Sequence, residues 1–174
     1  MTANILNLRY FILLFLSTGC LSQELEVSIR TNKTDYQRND SIYISTVFKN
    51  VSGSTIKFLT KGRFETGDYC FTVHPVGDNI FNYLKNIRKE DFVTLESGAE
   101  YVLSGYYNVF WPCRGMPPKG NWNLDIRFVL NITPNENKYY VIEGEEIIDT
   151  KQVTDAWTGN AVSDPVSIVI KRPE

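Results

Sequence analysis

Side chains that could perform acid–base or nucleophilic chemistry are scarce in this sequence. Its 174 residues contain one histidine, His74. A zinc-binding HExxH motif needs two histidines, and no Ser-His-Asp arrangement can be recognised from the spacing. By alternation His74 falls on the same strand face as Cys70 and Thr72, so we interpret it as a surface or half-buried strand residue. We therefore expect no catalytic site, no metal site and no cofactor.

Aromatic side chains are concentrated in one stretch that runs into a Pro/Gly-rich loop. The stretch contains Tyr107, Phe110 and Trp111, and Arg114 follows in the loop. Exposed aromatic rings contribute much contact energy at a modest entropic cost. These four residues are therefore the candidate binding site for a protein or a glycan. The alternative is that the loop packs its aromatic rings against the end of the domain, held there by a disulfide.

The acidic residues Glu143, Glu145, Glu146 and Asp149 form a second cluster. Several carboxylates together can bind calcium, but the spacing of an EF-hand loop is missing. We interpret the cluster as a solvated acidic loop. A hydrolase that uses Glu143 or Asp155 is the least favoured class of function.

The sequence has three cysteines, Cys20, Cys70 and Cys113. If Cys20 is lipidated or removed, an even pair remains, as expected in an oxidising compartment. We predict that Cys70 and Cys113 form a disulfide, which would stabilise the fold by about 4 kcal/mol through loop closure. Two buried free thiols are the alternative.

The N-terminus has the features of a secretory signal. Arg9 precedes the apolar run 10–16, and small residues follow. A positive charge, a short apolar segment and small residues are typical of a signal peptide, and the apolar run is shorter than the roughly 20 residues needed to span a bilayer. We assign residues 1–22 as the signal peptide and 24–172 as the mature domain.

Two cleavage sites are possible. The sequence 17–20, Ser-Thr-Gly-Cys, resembles a bacterial lipobox, in which Cys20 becomes the lipidated first residue, although Ser17 stands where Leu is usual. The alternative is ordinary cleavage near Ser22 or Gln23. Both predict export, either as a lipoprotein of the cell envelope with a lipid anchor in the membrane or as a secreted protein.

The charge balance indicates that nucleic acid is not a partner. The chain has 18 basic and 20 acidic residues. Residues 1–22 contain one basic residue, Arg9, and no acidic one, so the mature chain carries a net charge of about −3. Nucleic-acid binding usually needs a clustered basic face.

Apolar and polar residues alternate through most of the mature chain. The pattern predicts half-buried strands at 25–29, 42–48, 122–130 and 166–170, with shorter ones between them. A hairpin is expected through 139–148, a turn at Gly77-Asp78 with a return strand over 80–83, and a short helix or loop over 84–92. About eight short strands separated by turn residues are typical of an all-β sandwich or barrel.

Several segments resemble immunoglobulin-like extracellular modules, including macroglobulin-type domains and the BsuPI-type proteinase-inhibitor domain. Tyr36, Asp40 and Asn50 match the opening strands of such modules, 95–100 resembles their L-x-P-G-E turn, and 157–166 resembles their final strand entry. The resemblance covers most of residues 24–171. It implies an antiparallel immunoglobulin-like β-sandwich of about seven to nine strands.

These observations favour a non-enzymatic module that binds a protein or glycan through its end loops, because loops usually hold the functional residues of a sandwich. The alternative that the resemblance implies is a proteinase inhibitor of the BsuPI type. No residue here matches a reactive-site motif of that group.

Overall fold

The regular secondary structure of the described residues is almost entirely β-strand. The computed structural model describes residues 24–76, 87–115, 119–143 and 146–171, without the side chains of residues 142, 143 and 146. The predicted signal peptide, Cys20 and the predicted turn and return strand at 77–83 lie outside these residues. The predicted short helix or loop at 84–92 is described in part, as a single 3₁₀ turn over Lys89–Asp91.

Thirteen strands lie in the described residues, and their bounds are β1 (Leu25–Thr31), β2 (Asp35–Gln37), β3 (Ile42–Asn50), β4 (Ile56–Leu59), β5 (Arg63–Thr66), β6 (Thr72–Pro75), β7 (Phe92–Leu95), β8 (Glu100–Phe110), β9 (Trp122–Ile132), β10 (Lys138–Glu143), β11 (Glu146–Gln152), β12 (Gly159–Val162) and β13 (Val166–Lys171). Nine of them form one sheet, in the order β1-β3-β8-β6-β5-β9-β13-β2, with β12 beside β9. Its pairs are antiparallel except β13 with β2. The ribbons β4-β7 and β10-β11 add four strands, and β10-β11 is the predicted hairpin.

The large sheet curls so that its two halves face each other. The halves β1-β3-β8-β6 and β5-β9-β13-β2 are joined by one residue pair, Phe64 with Val73. Phe48 on β3 packs on Phe128 of β9 with ring centroids 5.6 Å apart. Because alternate side chains of each strand point into this interior, the predicted all-β sandwich is confirmed.

The last strand of the sandwich is interrupted once. Both β12 and β13 pair with β9, but the register shifts by one residue between them. At the interruption the Phe128 amide donates to Ser163 Oγ (2.9 Å), and the Ser163 amide donates to the Phe128 carbonyl (3.0 Å). Ser163 therefore keeps the ladder hydrogen-bonded up to Pro165, which has no N–H to donate.

The first strand begins at one end of the sandwich, and the loop between β8 and β9 lies at the other end. Leu25 pairs with Asn50 at one end, and Ile42 pairs with Tyr107 at the other. The nine residues of β3 separate these ends by about 26 Å at about 3.3 Å per residue. The described chain therefore begins at the end opposite the loop that joins β8 to β9.

Candidate functional site

A disulfide joins the end of β8 to the segment before β6. Cys70 and Cys113 are bonded across 43 residues of sequence, with Cα atoms 5.3 Å apart. The Cys70 amide also donates to Asp68 Oδ1 (2.8 Å), which orders the approach to the bridge. The predicted disulfide is confirmed, and it holds the start of the loop after β8 against the sandwich.

Three aromatic rings close the interior beside this disulfide. The Trp111 ring lies 4.9 Å from the ring of Phe71, and Phe71 lies 4.9 Å from Trp122. Trp111 is half-buried, and its indole Nε1 is a buried donor without a hydrogen-bond partner among the described residues. Trp111 therefore belongs both to the end of the core and to the wall of the site.

Phe110 lies on the opposite face of the sheet from Trp111. Its ring is 49% exposed and stacks on the His74 ring, with centroids 4.3 Å apart and an angle of 14° between planes. Burial lowers the pKa of His74. Because one face of Phe110 rests on His74, its orientation is restricted while the rest of the ring contacts solvent.

The other two candidate residues take different positions. Tyr107 is 5% exposed and packs on Phe64 in the core, with centroids 4.7 Å apart. Burial raises the pKa of Tyr107 to about 12. Arg114 is exposed in the loop after β8. The structure thus brings Phe110 and Trp111 to one site with Arg114 close along the chain, whereas Tyr107 faces inward.

An open cleft of about 530 Å³ lies at this end of the sandwich. It separates the turn between β2 and β3 from the end of β8, and its lining residues are Arg38, Asn39, Asp40, Asn108, Val109, Phe110, Trp111, Gly115 and Trp122. The Arg38 guanidinium lies over the Trp122 ring, 5.2 Å from its centroid. No local sequence pattern connects these two residues, and so the sequence did not indicate Arg38 as a site residue.

The turn that carries Arg38 is internally ordered. Asp40 Oδ2 accepts from Lys33 Nζ (2.7 Å) and from the Gln37 amide (3.0 Å). The hydrogen bond from Lys33 is the main cause of the lowered pKa of Asp40. Ser41 Oγ donates to Asn108 Oδ1 (3.0 Å), which ties the turn to β8. One wall of the cleft is therefore preorganised by the chain's own hydrogen bonds.

The acidic cluster lies elsewhere, on the β10-β11 hairpin. Asp149 forms an ion pair with Lys151, and the side chains of the three glutamates lie outside the described residues. Within the described ranges, no three His, Cys, Asp or Glu side chains are grouped so that they could hold a metal ion. Over the same ranges, no helix has the length and apolar character needed to cross a bilayer.

Comparison with known proteins gives no family for the chain. No protein-family model matches the sequence, and no curated protein matches it. A function for this chain therefore has to be inferred from its fold and its cleft.

Proposed function

We propose that this protein is an exported, non-enzymatic immunoglobulin-like module that binds a protein or glycan ligand in the cleft beside the disulfide. The strand order supports the immunoglobulin-like assignment. The half-sheets β1-β3-β8-β6 and β5-β9-β13 correspond to the A-B-E-D and C-F-G orders of constant-type immunoglobulin domains. Each of the seven strands A to G of a constant-type immunoglobulin domain therefore has a counterpart among the strands of this chain.

The observation that carries the binding assignment is the cleft itself. A volume of about 530 Å³ lies within the range of about 300–1,000 Å³ that is usual for ligand sites. Its lining residues include Phe110, whose ring is 49% exposed, together with Trp111 and the cationic Arg38. A disulfide and an ordered turn hold these walls, so little conformational entropy is lost when a ligand is bound.

Export is supported by the disulfide, which is expected in an oxidising compartment. Attachment through a lipidated Cys20 would place the anchor next to residue 24, at the end of the sandwich opposite the cleft. The cleft would then face away from the membrane, accessible to ligands outside the cell.

Replacing Phe110 by Ala tests the binding role of the cleft. We expect ligand affinity to fall about tenfold or more, because an exposed aromatic ring that lines a binding site can contribute heavily to binding. The mature chain is first screened on arrays of glycans and of purified exported proteins, and the best ligand is titrated by calorimetry. Phe110 is preferable to Trp111, whose ring also packs on Phe71 and Trp122.

Tyr69→Ala is the matched control, because Tyr69 is 90% exposed and does not line the cleft. Its affinity should equal that of the wild type. Binding in the cleft would be contradicted if both variants lost the same amount of affinity. It would also be contradicted if Phe110→Ala kept its affinity while circular dichroism showed an intact fold. Assays of inhibition against a panel of proteases test the inhibitor alternative. That alternative predicts that the wild type inhibits at least one protease and that substitutions in the loop abolish the inhibition.

A further inference from the structure

One cation in the cleft, Arg38, has no ion-pair partner among the described residues. Asp40 is the only carboxylate that lines the cleft there, and its Oδ2 already accepts from Lys33 and Gln37. The positive charge of Arg38 is therefore available to a ligand.

The geometry of this cation suits a carboxylate. A guanidinium group presents its N–H donors in a planar fork that matches the two oxygens of a carboxylate. The Arg38 guanidinium lies over the Trp122 ring, 5.2 Å from its centroid, and this cation–π contact favours the charge at this position in the cleft. A carboxylate on the ligand would form a charge-assisted pair at a position the protein has already ordered.

Hydrogen-bonding groups for hydroxyls lie beside this cation. Asn108 Oδ1 accepts from Ser41, so the Asn108 amide N–H groups remain as donors with no acceptor among the described residues. Asp40 Oδ1 remains as an acceptor. A ligand that carries hydroxyls near its carboxylate can use both groups, whereas a bare carboxylate can use only the donor.

The size of the cleft favours a single small unit over a protein surface. Nine residues line it, whereas a stable protein interface engages about 20–30 residues on each side. The exposed ring of Phe110 supplies a flat apolar surface on which the carbon face of a sugar ring can pack.

We propose that the cleft binds an acidic sugar residue, with its carboxylate on Arg38, its hydroxyls on Asn108 and Asp40, and its ring against Phe110. This assignment rests on the proposed function and specifies its ligand as a carboxylate-bearing sugar unit of a glycan.

The test compares acidic sugars with their uncharged esters. Calorimetry on the mature chain measures trisaccharides of galacturonate, glucuronate and sialate, each as the free acid and as its methyl ester. We expect at least one free acid to bind about tenfold or more tighter than its ester, because the ester lacks the negative charge that strengthens the hydrogen bonds from Arg38. Arg38→Gln should remove this preference. Arg30→Gln, at an exposed arginine of β1 outside the cleft, should retain it.

Three results would overturn the assignment. The acid and its ester could bind equally in every pair, the folded wild type could bind no acid, or Arg38→Gln could keep the preference for the acid. A tripeptide is tested in the same way, as its free acid and as its amide. If the tripeptide acid binds more tightly than the amide while no acidic sugar binds more tightly than its ester, the ligand is a peptide carboxylate and the assignment is overturned. The proposed function would survive each of these results if Phe110→Ala still weakened capture of the screened ligand. It would fail separately if that variant had no effect.

Discussion

At the scale of single residues, the direction of each side chain decides which aromatic rings can meet a ligand. Phe110 and Tyr107 are an odd number of positions apart on β8 and therefore lie on opposite faces of the sheet. Phe110 stacks on His74 at the surface, whereas Tyr107 packs on Phe64 inside. A run of aromatic residues in the sequence thus divides between the core and the site.

The environment of His74 makes stability depend on pH. Burial lowers the pKa of His74 from its ordinary value of 6.5, and its Nδ1 has no hydrogen-bond partner in the described residues. The unfolded chain therefore binds the proton more readily than the folded chain does. We expect full stability above about pH 7 and a progressive loss as the pH falls through 6.5 towards 5. Urea midpoints measured between these values check this.

His74→Gln should be insensitive to pH over the same window, because His74 is the only histidine in the chain. Carboxylates with lowered pKa, such as Glu65 hydrogen-bonded by Arg127 and Arg63, affect stability only at lower pH. If the slope between pH 7 and 5 persists in His74→Gln, burial of this imidazole is not its cause.

At the scale of elements, close packing restricts what the turns can contain. Gly62 lies between β4 and β5, and a Cβ there would come within 2.4 Å of the Phe128 ring and 2.6 Å of the Val129 carbonyl. No side chain fits at that separation, so glycine allows β5 to pair with β9. The alternating pattern places these strands, but it does not reveal how closely the backbone approaches a ring.

The disulfide is the main covalent tie between elements. We expect Cys70→Ser/Cys113→Ser to lower the free energy of unfolding by about 4 kcal/mol, because the unfolded chain is no longer constrained by a closed loop of 43 residues. Urea unfolding of the oxidised wild type and the double variant measures the difference. Reductant should lower the midpoint of the wild type and leave that of the variant unchanged. Equal midpoints without reductant would contradict a stabilising role.

At the scale of the whole molecule, the antiparallel strands place Leu25, near the start of the described residues, and the cleft at opposite ends of the sandwich. β3 begins beside Tyr107 near the cleft and ends beside Leu25. A chain anchored at its N-terminus would therefore expose its cleft about 26 Å farther from the membrane than its attachment point.

Fluorescent labels can measure this orientation on vesicles. Gly53→Cys places a label near the N-terminal end, and Asn39→Cys places one in the turn at the cleft; both positions are exposed. In lipid-anchored protein, a quencher on the lipid headgroups should quench the label at residue 53 strongly and the label at residue 39 weakly. Equal quenching would show that the cleft does not face away from the membrane, and failure of the mature chain to bind vesicles would count against the anchor.

The sequence by itself predicted the long strands, the hairpin and the cysteine pair, but it did not predict short strands such as β2, β5 and β12. The alternation of apolar and polar residues along a strand can be recognised without knowing which strands lie beside it. The buried and exposed residues of β3 and β9 follow this alternation closely. If Cys20 is lipidated or removed, Cys70 and Cys113 are the one possible intramolecular pair, and the structure contains this disulfide. Aromatic residues near Cys113 also indicated the end of the molecule at which the cleft lies.

Only the tertiary structure decided which residues form that cleft. Arg38 and Trp122 lie on distant segments and meet because β2 and β9 both pair with β13. Such a contact depends on the order of strands across the sheet, which the spacing of apolar residues within one strand does not encode. Asp40 and Asn108 meet at the cleft for a similar reason, because β3, which follows the turn of Asp40, pairs with β8.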